Sequence, residues 1–315
     1  MPHRQLLVIK FSHFLLLVAG KRHLIKFMNL GPEATFHRWN PAAVLRISGE
    51  DSPSFLQGQF TNDLHKQGIG GAVYGLWLNQ KGKVLADSFV LQIAAQEFWV
   101  LSYFSPAAVI RERLEAYVIA DDVVIEDLTG EMAGLTVFGP ADGLPVGARS
   151  FPGRRRRESH TEIIFPVSAG AALGPSLGSA AWLSPVEMER RRILAGIPAV
   201  PVDIGPADLP NEGGLETEAI SYTKGCYLGQ EVMARLKSMG KVRRQLARVC
   251  GAGQPPQLPA PVFQAGRKVG EVRSVVSEGA GWIGLALVSL LQVRRTDGLS
   301  PTAEGAPTIA FIEPA

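Results

Sequence analysis

Short apolar runs separated by Gly, Pro, Asn and Asp fill most of the chain, and their periods set the expected elements. Residues 44–47 read as a strand. The turn 48–51 follows, and Asp51 or Ser52 caps a helix that Pro53 opens. Residues 74–78 and 84–91 are apolar runs joined by the polar turn 79–83, a hairpin pattern. Residues 98–103 form a further strand. Ser105 then caps, and Pro106 opens, a helix to about Tyr117 with Ile110, Leu114 and Tyr117 on one face. Strands at 123–127 and 134–139 complete an α+β pattern, with helices on one face of an antiparallel sheet. Residues 139–153 and 168–179 read as loops. Ser184-Pro185-Val186-Glu187 starts a helix that runs to Ala195 and stops at Gly196. A short helix over 228–236 places Val232 and Leu236 together. Beyond a polar hinge at 237–241, short strands at 245–250, 261–263, 268–276, 281–287 and 308–312 predict a small β-barrel. The expected division is an N-terminal extension over 1–40, poorly ordered, an α+β region over 41–238 and a barrel over 239–315.

Composition narrows the class. The chain has 315 residues, 46% hydrophobic and 19% charged, which describes a globular protein. A net charge of +3 gives no general drive toward nucleic acid. Two cysteines, Cys226 and Cys250, fit a reducing compartment and exclude a disulfide framework. They also exclude a self-contained iron–sulfur cluster, which takes about four thiolates. The six histidines show no metal-ligand spacing, so no intrinsic metal is expected. Residues 14–19 are apolar, with Lys10 before them and Lys21-Arg22 after, too short a run to span a bilayer. The first 28 residues read as an extension from a start codon upstream of Met28, with an organelle or export signal as the alternative. The expected compartment is the cytoplasm, without a transmembrane segment.

Six places along the chain carry candidate chemistry. KGCYLGQEVMAR, residues 224–235, combines a thiol, two cations, a carboxylate, an amide and two glycines. Cys226 falls just before a helix start, where free N–H groups and the nearby Lys224 favour a thiolate. The plain alternative is a small buried residue filling a turn. Asp87 interrupts an apolar run, so it is either on an exposed face or held by partners. Gln57, Gln59, Thr61, Asn62 and Asp63 crowd a helix end. Arg154 to Arg157 would suit phosphate or RNA, but no aromatic or glycine pattern accompanies them, and a solvated loop is expected. Of Arg190, Arg191 and Arg192, consecutive on a helix, at least one can point inward. Glu212 alone reads as an exposed loop acid.

The stretch K-G-C-Y-x-G-Q-E-x-x-x-R resembles the signature of the YgfZ family of folate-binding proteins, relatives of the aminomethyltransferase T-protein of the glycine cleavage system. F-L-Q-G-Q-x-T-N-D is similar to a second family block, near the folate pocket, and brings in Gln59 and Asn62. G-x-x-x-x-D, ending at Asp87, matches the T-protein carboxylate that faces the reactive nitrogens of tetrahydrofolate. T-proteins often carry a further Asp just before it, where this chain has Ala86, and they usually lack the cysteine motif. R-x-x-x-G-x-P implies that Arg192 faces the pocket and pairs with a carboxylate. P-x-E implies that Glu212 binds the pterin ring.

The resemblance implies a T-protein-like folate-binding α+β region followed by a C-terminal β-barrel. It implies a protein that binds tetrahydrofolate or a derivative non-covalently and supports iron–sulfur cluster assembly or repair, more an accessory factor than an enzyme. Cys226 and Asp87 would carry the chemistry. Lys224, Gly225, Tyr227, Gly229, Gln230, Glu231 and Arg235 would shape the loop or dock a partner, either iron–sulfur client proteins or the assembly machinery. The alternatives are a folate-dependent aminomethyltransferase and a tRNA-modification accessory protein. Direct nucleic-acid binding is not expected.

Overall fold

The computed structural model describes residues 34–313, apart from 140, 143, 145, 146, 173–180 and 241, together with the short strands Phe14–Val18, Lys21–Ile25 and Asn29–Leu30. The first sheet has the order Ala72–Leu78, Val84–Ala94, Glu97–Ser102, Ala43–Ser48, Val124–Asp127, all antiparallel. Alternate side chains of these strands face opposite ways. Leu45, Ile47, Val90 and Val100 pack against helices α1 (Ser52–Gln59) and α2 (Ala107–Glu115) through Phe55, Leu56, Ile110 and Leu114. Val44, Phe89, Leu91 and Leu101 point the other way, onto a second sheet. Burial on both faces explains why residues 84–91 read as a continuous apolar run.

The second sheet runs Arg149–Pro152, Thr161–Pro166, Met132–Phe138, Thr35–Trp39, Ala181–Trp182, with the last pair parallel. Two expectations change here. Thr35–Trp39, assigned from sequence to the N-terminal extension, lies inside this sheet, with Phe36 and Trp39 buried. The stretch 139–153, read as loop, contributes the edge strand Arg149–Pro152. Phe14–Val18 pairs with Lys21–Ile25; the remainder of the signal-like segment lies outside the described residues.

Helix α3, Pro185–Ala195, has the expected ends. The Ser184 hydroxyl accepts from Glu187 N–H, and Gly196 closes the helix at φ 69°. The short helices α4 (Glu216–Ala219) and α5 (Gln230–Met239) follow. Tyr227 and Met233 carry α5 onto Leu76, Leu78 and Val84 of the first hairpin. The third sheet, Ala260–Gln264, Arg267–Glu278, Gly281–Ser289, Arg244–Ala252, Ile309–Phe311, is antiparallel throughout. Leu299 bridges to Ile309 and Ser300 to Phe263, so one segment links the two edge strands and the sheet curls toward the expected barrel around Val249, Val262, Val272 and Trp282. No helix among the described residues is long and apolar enough to cross a membrane.

Candidate functional site

Asp87 sits mid-strand in the first hairpin, on a sheet face buried under the second sheet and the loop after α3. Only 4% of it is exposed. Its Oδ1 accepts from the Ser102 hydroxyl at 2.9 Å and the Ser105 hydroxyl at 2.7 Å, and its Oδ2 accepts from the Tyr74 hydroxyl at 3.0 Å. Ser105 was expected to cap α2. The cap position falls instead on Pro106, without a side-chain bond, and the Ser105 hydroxyl turns to the carboxylate. Burial raises the Asp87 pKa, with the three hydroxyls and Arg154 opposing it. A carboxylate has about four acceptor positions. Three are filled, and the fourth is left at a cavity of about 350 Å³ that Asp87 lines with Tyr74, Trp39, Tyr103, Phe104 and Arg154.

Arg192 lines the same cavity, but its guanidinium is fully engaged. Nε and Nη2 hold Glu189 at 2.9 and 2.5 Å, Nη1 holds Asp203 and the Ile197 carbonyl at 2.6 Å each, and Nη2 also reaches the Ser274 hydroxyl at 2.9 Å. An arginine offers five N–H donors, so none remains for a ligand. The inward-pointing arginine expected on this helix ties α3 to the third sheet.

The arginine run departs furthest from the solvated loop expected of it. Arg154 stacks over the Tyr74 ring at 4.5 Å and pairs with Glu218 at 2.6 Å. Arg155 is 8% exposed, packs over Tyr103 at 3.9 Å and Trp39 at 4.7 Å, and donates to Glu162 at 3.0 Å. Glu162 is fully buried and also accepts from the Thr136 and Tyr103 hydroxyls at 2.8 and 3.0 Å. His160 Nε2 accepts from the Arg155 N–H, so Nδ1 carries the proton toward the Glu158 carbonyl. Burial lowers the His160 pKa, and the neutral ring at 3.7 Å from Glu162 is a neighbour, not an ion pair. Gly153 is required beside it, because a Cβ there would meet the His160 ring at 2.3 Å.

The other expected site residues do not line this cavity. Glu212 accepts from Leu209 N–H at 2.8 Å and pairs with Arg244 at 2.8 and 2.9 Å, which fastens its turn to the third sheet. Gln59 accepts from Arg113 at 2.9 Å. Asn62 acts one layer back, where its amide holds the Tyr74 and Glu218 carbonyls at 2.8 and 2.9 Å. Both residues bear on the cavity, Tyr74 through Asp87 and Glu218 through Arg154.

The cysteine motif splits into an inner and an outer set. Lys224 is buried, and its amine donates to the carbonyls of Gln57, Phe60 and Asn62 at 2.5, 2.6 and 3.1 Å. These carbonyls end α1, so the KGCY stretch and the QGQFTND stretch are joined at one amine. Tyr227 is buried, and Gly229 takes φ 86° where a Cβ would lie 3.0 Å from the Asn79 carbonyl oxygen. Gln230 is half-buried at the start of α5, and Gly225, Cys226, Glu231 and Arg235 face outward. Cys226 lines neither this cavity nor the larger one beside it. Cys226, expected to carry the chemistry with Asp87, is thus exposed and apart from the Asp87 cavity, and the Lys224 charge meant to favour its thiolate points inward at carbonyls. No group of three or more His, Cys, Asp or Glu able to hold a metal ion occurs among the described residues.

Residues 40–142 match the GCVT N-terminal domain family. The chain is 28% identical over 284 residues to the mouse (Mus musculus) protein named iron-sulfur cluster assembly factor IBA57, mitochondrial, covering 81% of this chain and 77% of that one. It is 25% identical over 257 residues to the tRNA-modifying protein YgfZ of Vibrio vulnificus (strain YJ016), covering 76% and 77%. Among solved structures, glycine cleavage system aminomethyltransferase T from Bartonella henselae superposes with a TM-score of 0.71 over 90% of this chain and 88% of that one, at 18% identity, a likeness of fold. The chain is thus similar to the YgfZ and IBA57 proteins, matches the GCVT N-terminal domain over residues 40–142, and has the fold of aminomethyltransferase T.

Proposed function

We propose that the protein is a tetrahydrofolate-binding accessory factor for iron–sulfur cluster assembly or repair, with the ligand at Asp87 and a protein partner at the exposed cysteine motif. The observation that carries the ligand reading is the remaining acceptor position of a buried carboxylate in a cavity walled by Trp39, Tyr103 and Phe104. A flat heteroaromatic ring with N–H donors suits such walls and such an acceptor. The volume of about 350 Å³ lies at the lower end of small-ligand sites. Asp87 would hold the ring, and Tyr74, Ser102 and Ser105 would hold Asp87. Bound tetrahydrofolate would supply nitrogens able to carry a one-carbon unit. The names of the IBA57 relatives support the assembly role. The inner residues Lys224, Tyr227 and Gly229 support the outer set as a preformed docking face.

Asp87→Asn separates binding from folding. Asparagine keeps the shape and one acceptor oxygen but removes a buried charge. Because burial raises the folded pKa of Asp87 above 3.8, the folded state holds that proton more tightly than the unfolded chain. The resulting stability is complete below the unfolded pKa and is lost as pH rises through the folded value. The variant is therefore expected to melt at or above the wild-type temperature, with a larger gain near pH 7 than near pH 4, while losing the melting-temperature rise that tetrahydrofolate gives the wild type. An undiminished folate response in the variant would remove Asp87 from the site. Turnover of an aminomethyl donor by the wild type would move the reading to a transferase.

Cys226→Ala is expected to leave stability within about 0.5 kcal/mol of wild type, since the side chain is exposed. The folate-induced thermal shift should persist, and support of a cluster-dependent enzyme in a depleted cell should be lost. Normal enzyme activity with the alanine variant would take Cys226 out of the function.

A further inference from the structure

A second acceptor lines the Asp87 cavity. His37 reaches it from the strand Thr35–Trp39 of the second sheet, whereas Asp87 belongs to the first. Side chains alternate along a strand, so His37 shares a face with Trp39, which clusters with Phe89 and Leu101 of the first sheet. The imidazole is held in one tautomer. Its Nδ1 lies 3.0 Å from the Leu183 carbonyl oxygen, which can only accept, so Nδ1 carries the proton. Nε2 is then an acceptor, and it has no hydrogen-bond partner among the described residues. It is also not among the polar atoms sealed from solvent without a partner. The residue is only 6% exposed, so its opening is the cavity. Burial lowers the His37 pKa from 6.5; the Leu183 carbonyl opposes this, Arg155 adds to it and Glu162 opposes it. The ring is therefore neutral at pH 7.

We propose that His37 is the second anchor of the cavity's ligand, with Nε2 accepting a hydrogen bond from an N–H group on the ligand edge that faces the second sheet. The proposal rests on the folate reading and narrows it. Asp87 and His37 both accept, so the ligand is a flat heterocycle that donates toward both sheets. A tetrahydropterin carries ring N–H groups and an amino group and can do so. A ring that offered only acceptors to the second sheet would strand Nε2, and a site built to receive a donor rejects an analogue that lacks it. The other charges around the cavity already have partners. Arg155 pairs with Glu162 in the second sheet, with the neutral His160 behind them. Arg192 pairs with Glu189 on α3, and Arg154 with Glu218. The Tyr74 hydroxyl donates to Asp87 and the Tyr103 hydroxyl to Glu162. Among the described residues, none of these groups bonds to the His37 ring.

The test is anaerobic titration calorimetry of tetrahydrofolate with the full chain and two variants, from about pH 8 down to about pH 5, on either side of the ordinary histidine pKa. His37→Asn puts an amide nitrogen where Nδ1 stands, so the Leu183 bond can persist, but nothing stands at Nε2. His37→Gln puts an amide where Nε2 stands, and its oxygen accepts throughout this range. At the upper pH the Asn variant is expected to bind about tenfold more weakly than wild type, the worth of one hydrogen bond, and the Gln variant within about threefold of it. As the pH falls, protonation turns Nε2 into a donor and wild type loses affinity. Protonation of Asp87 or of the ligand weakens all three proteins alike, so the ratio of wild-type to Gln-variant affinity isolates His37, and that ratio should fall. Wild-type affinity in the Asn variant would overturn the anchor and leave the folate reading standing. Equal losses in both variants would also overturn it, because ring shape alone would then explain them. If the Asn variant does not melt as a folded protein, the ratio decides, and a flat ratio overturns the anchor. If tetrahydrofolate binds none of the three proteins, the folate reading falls and the anchor falls with it.

Discussion

Glu162→Ala is expected to cost the fold about 4 kcal/mol. The carboxylate is fully buried and is the partner of Arg155, itself 8% exposed. Removing it leaves a guanidinium between two aromatic rings with its charge unanswered, and orphans the Thr136 hydroxyl and the Tyr103 hydroxyl bond. Breaking a buried pair by deleting one partner costs about 3–5 kcal/mol, more than the pair's net worth, because the remaining charge stays out of water. Glu162→Gln keeps an acceptor without the charge and should fall between. Urea denaturation measures both. A loss under about 1 kcal/mol for the alanine variant would mean that Arg155 finds other compensation. The site would feel the change as well, since Arg155 packs over Trp39 and Tyr103, both cavity walls.

Lys224→Met should cost about 3 kcal/mol. Two effects compete. Burial lowers the pKa of the amine from 10.5 to about 8, which at about 1.4 kcal/mol per unit is a penalty of about 3 kcal/mol. Against it stand three bonds from a charged donor to carbonyl oxygens, each contributing about 1.5–3 kcal/mol. The bonds win, and at neutral pH the amine keeps the three protons they need. Methionine fills the same channel without donors, so it regains the desolvation term but strands the carbonyls that end α1. The variant should also expose Cys226 and its loop to faster hydrogen exchange, because the amine joins that loop to residues 57–62. Stability and exchange equal to wild type would show that water serves these carbonyls as well.

Much of the architecture was legible in the chain. Ser184, Pro185 and Gly196 bound α3 because capping and left-handed geometry are local demands. The hairpin over 72–94 and the C-terminal strands follow from short-range periodicity. Thr35–Trp39 was missed because one short strand between turns has too few residues to show a period, and its partners, Met132–Phe138 and Ala181–Trp182, lie far along the chain. The arginine run was misread for a related reason. Four consecutive cations look solvated until Tyr74, Trp39, Tyr103, Phe138 and Glu162 arrive from elsewhere in the chain to cover the first three, which leaves Arg157 exposed.

The sequence by itself determined which residues had to be special: a carboxylate inside an apolar strand, a lysine beside a cysteine, and glycines where the backbone turns. It could not assign their directions. Arg192 and Glu212 became braces, Lys224 turned inward and Cys226 outward, and Asp87 kept one acceptor position at a cavity. Those outcomes depend on which donors and acceptors meet across sheets. Satisfying buried polar groups is a property of the assembled core, and no local stretch of chain contains the partners.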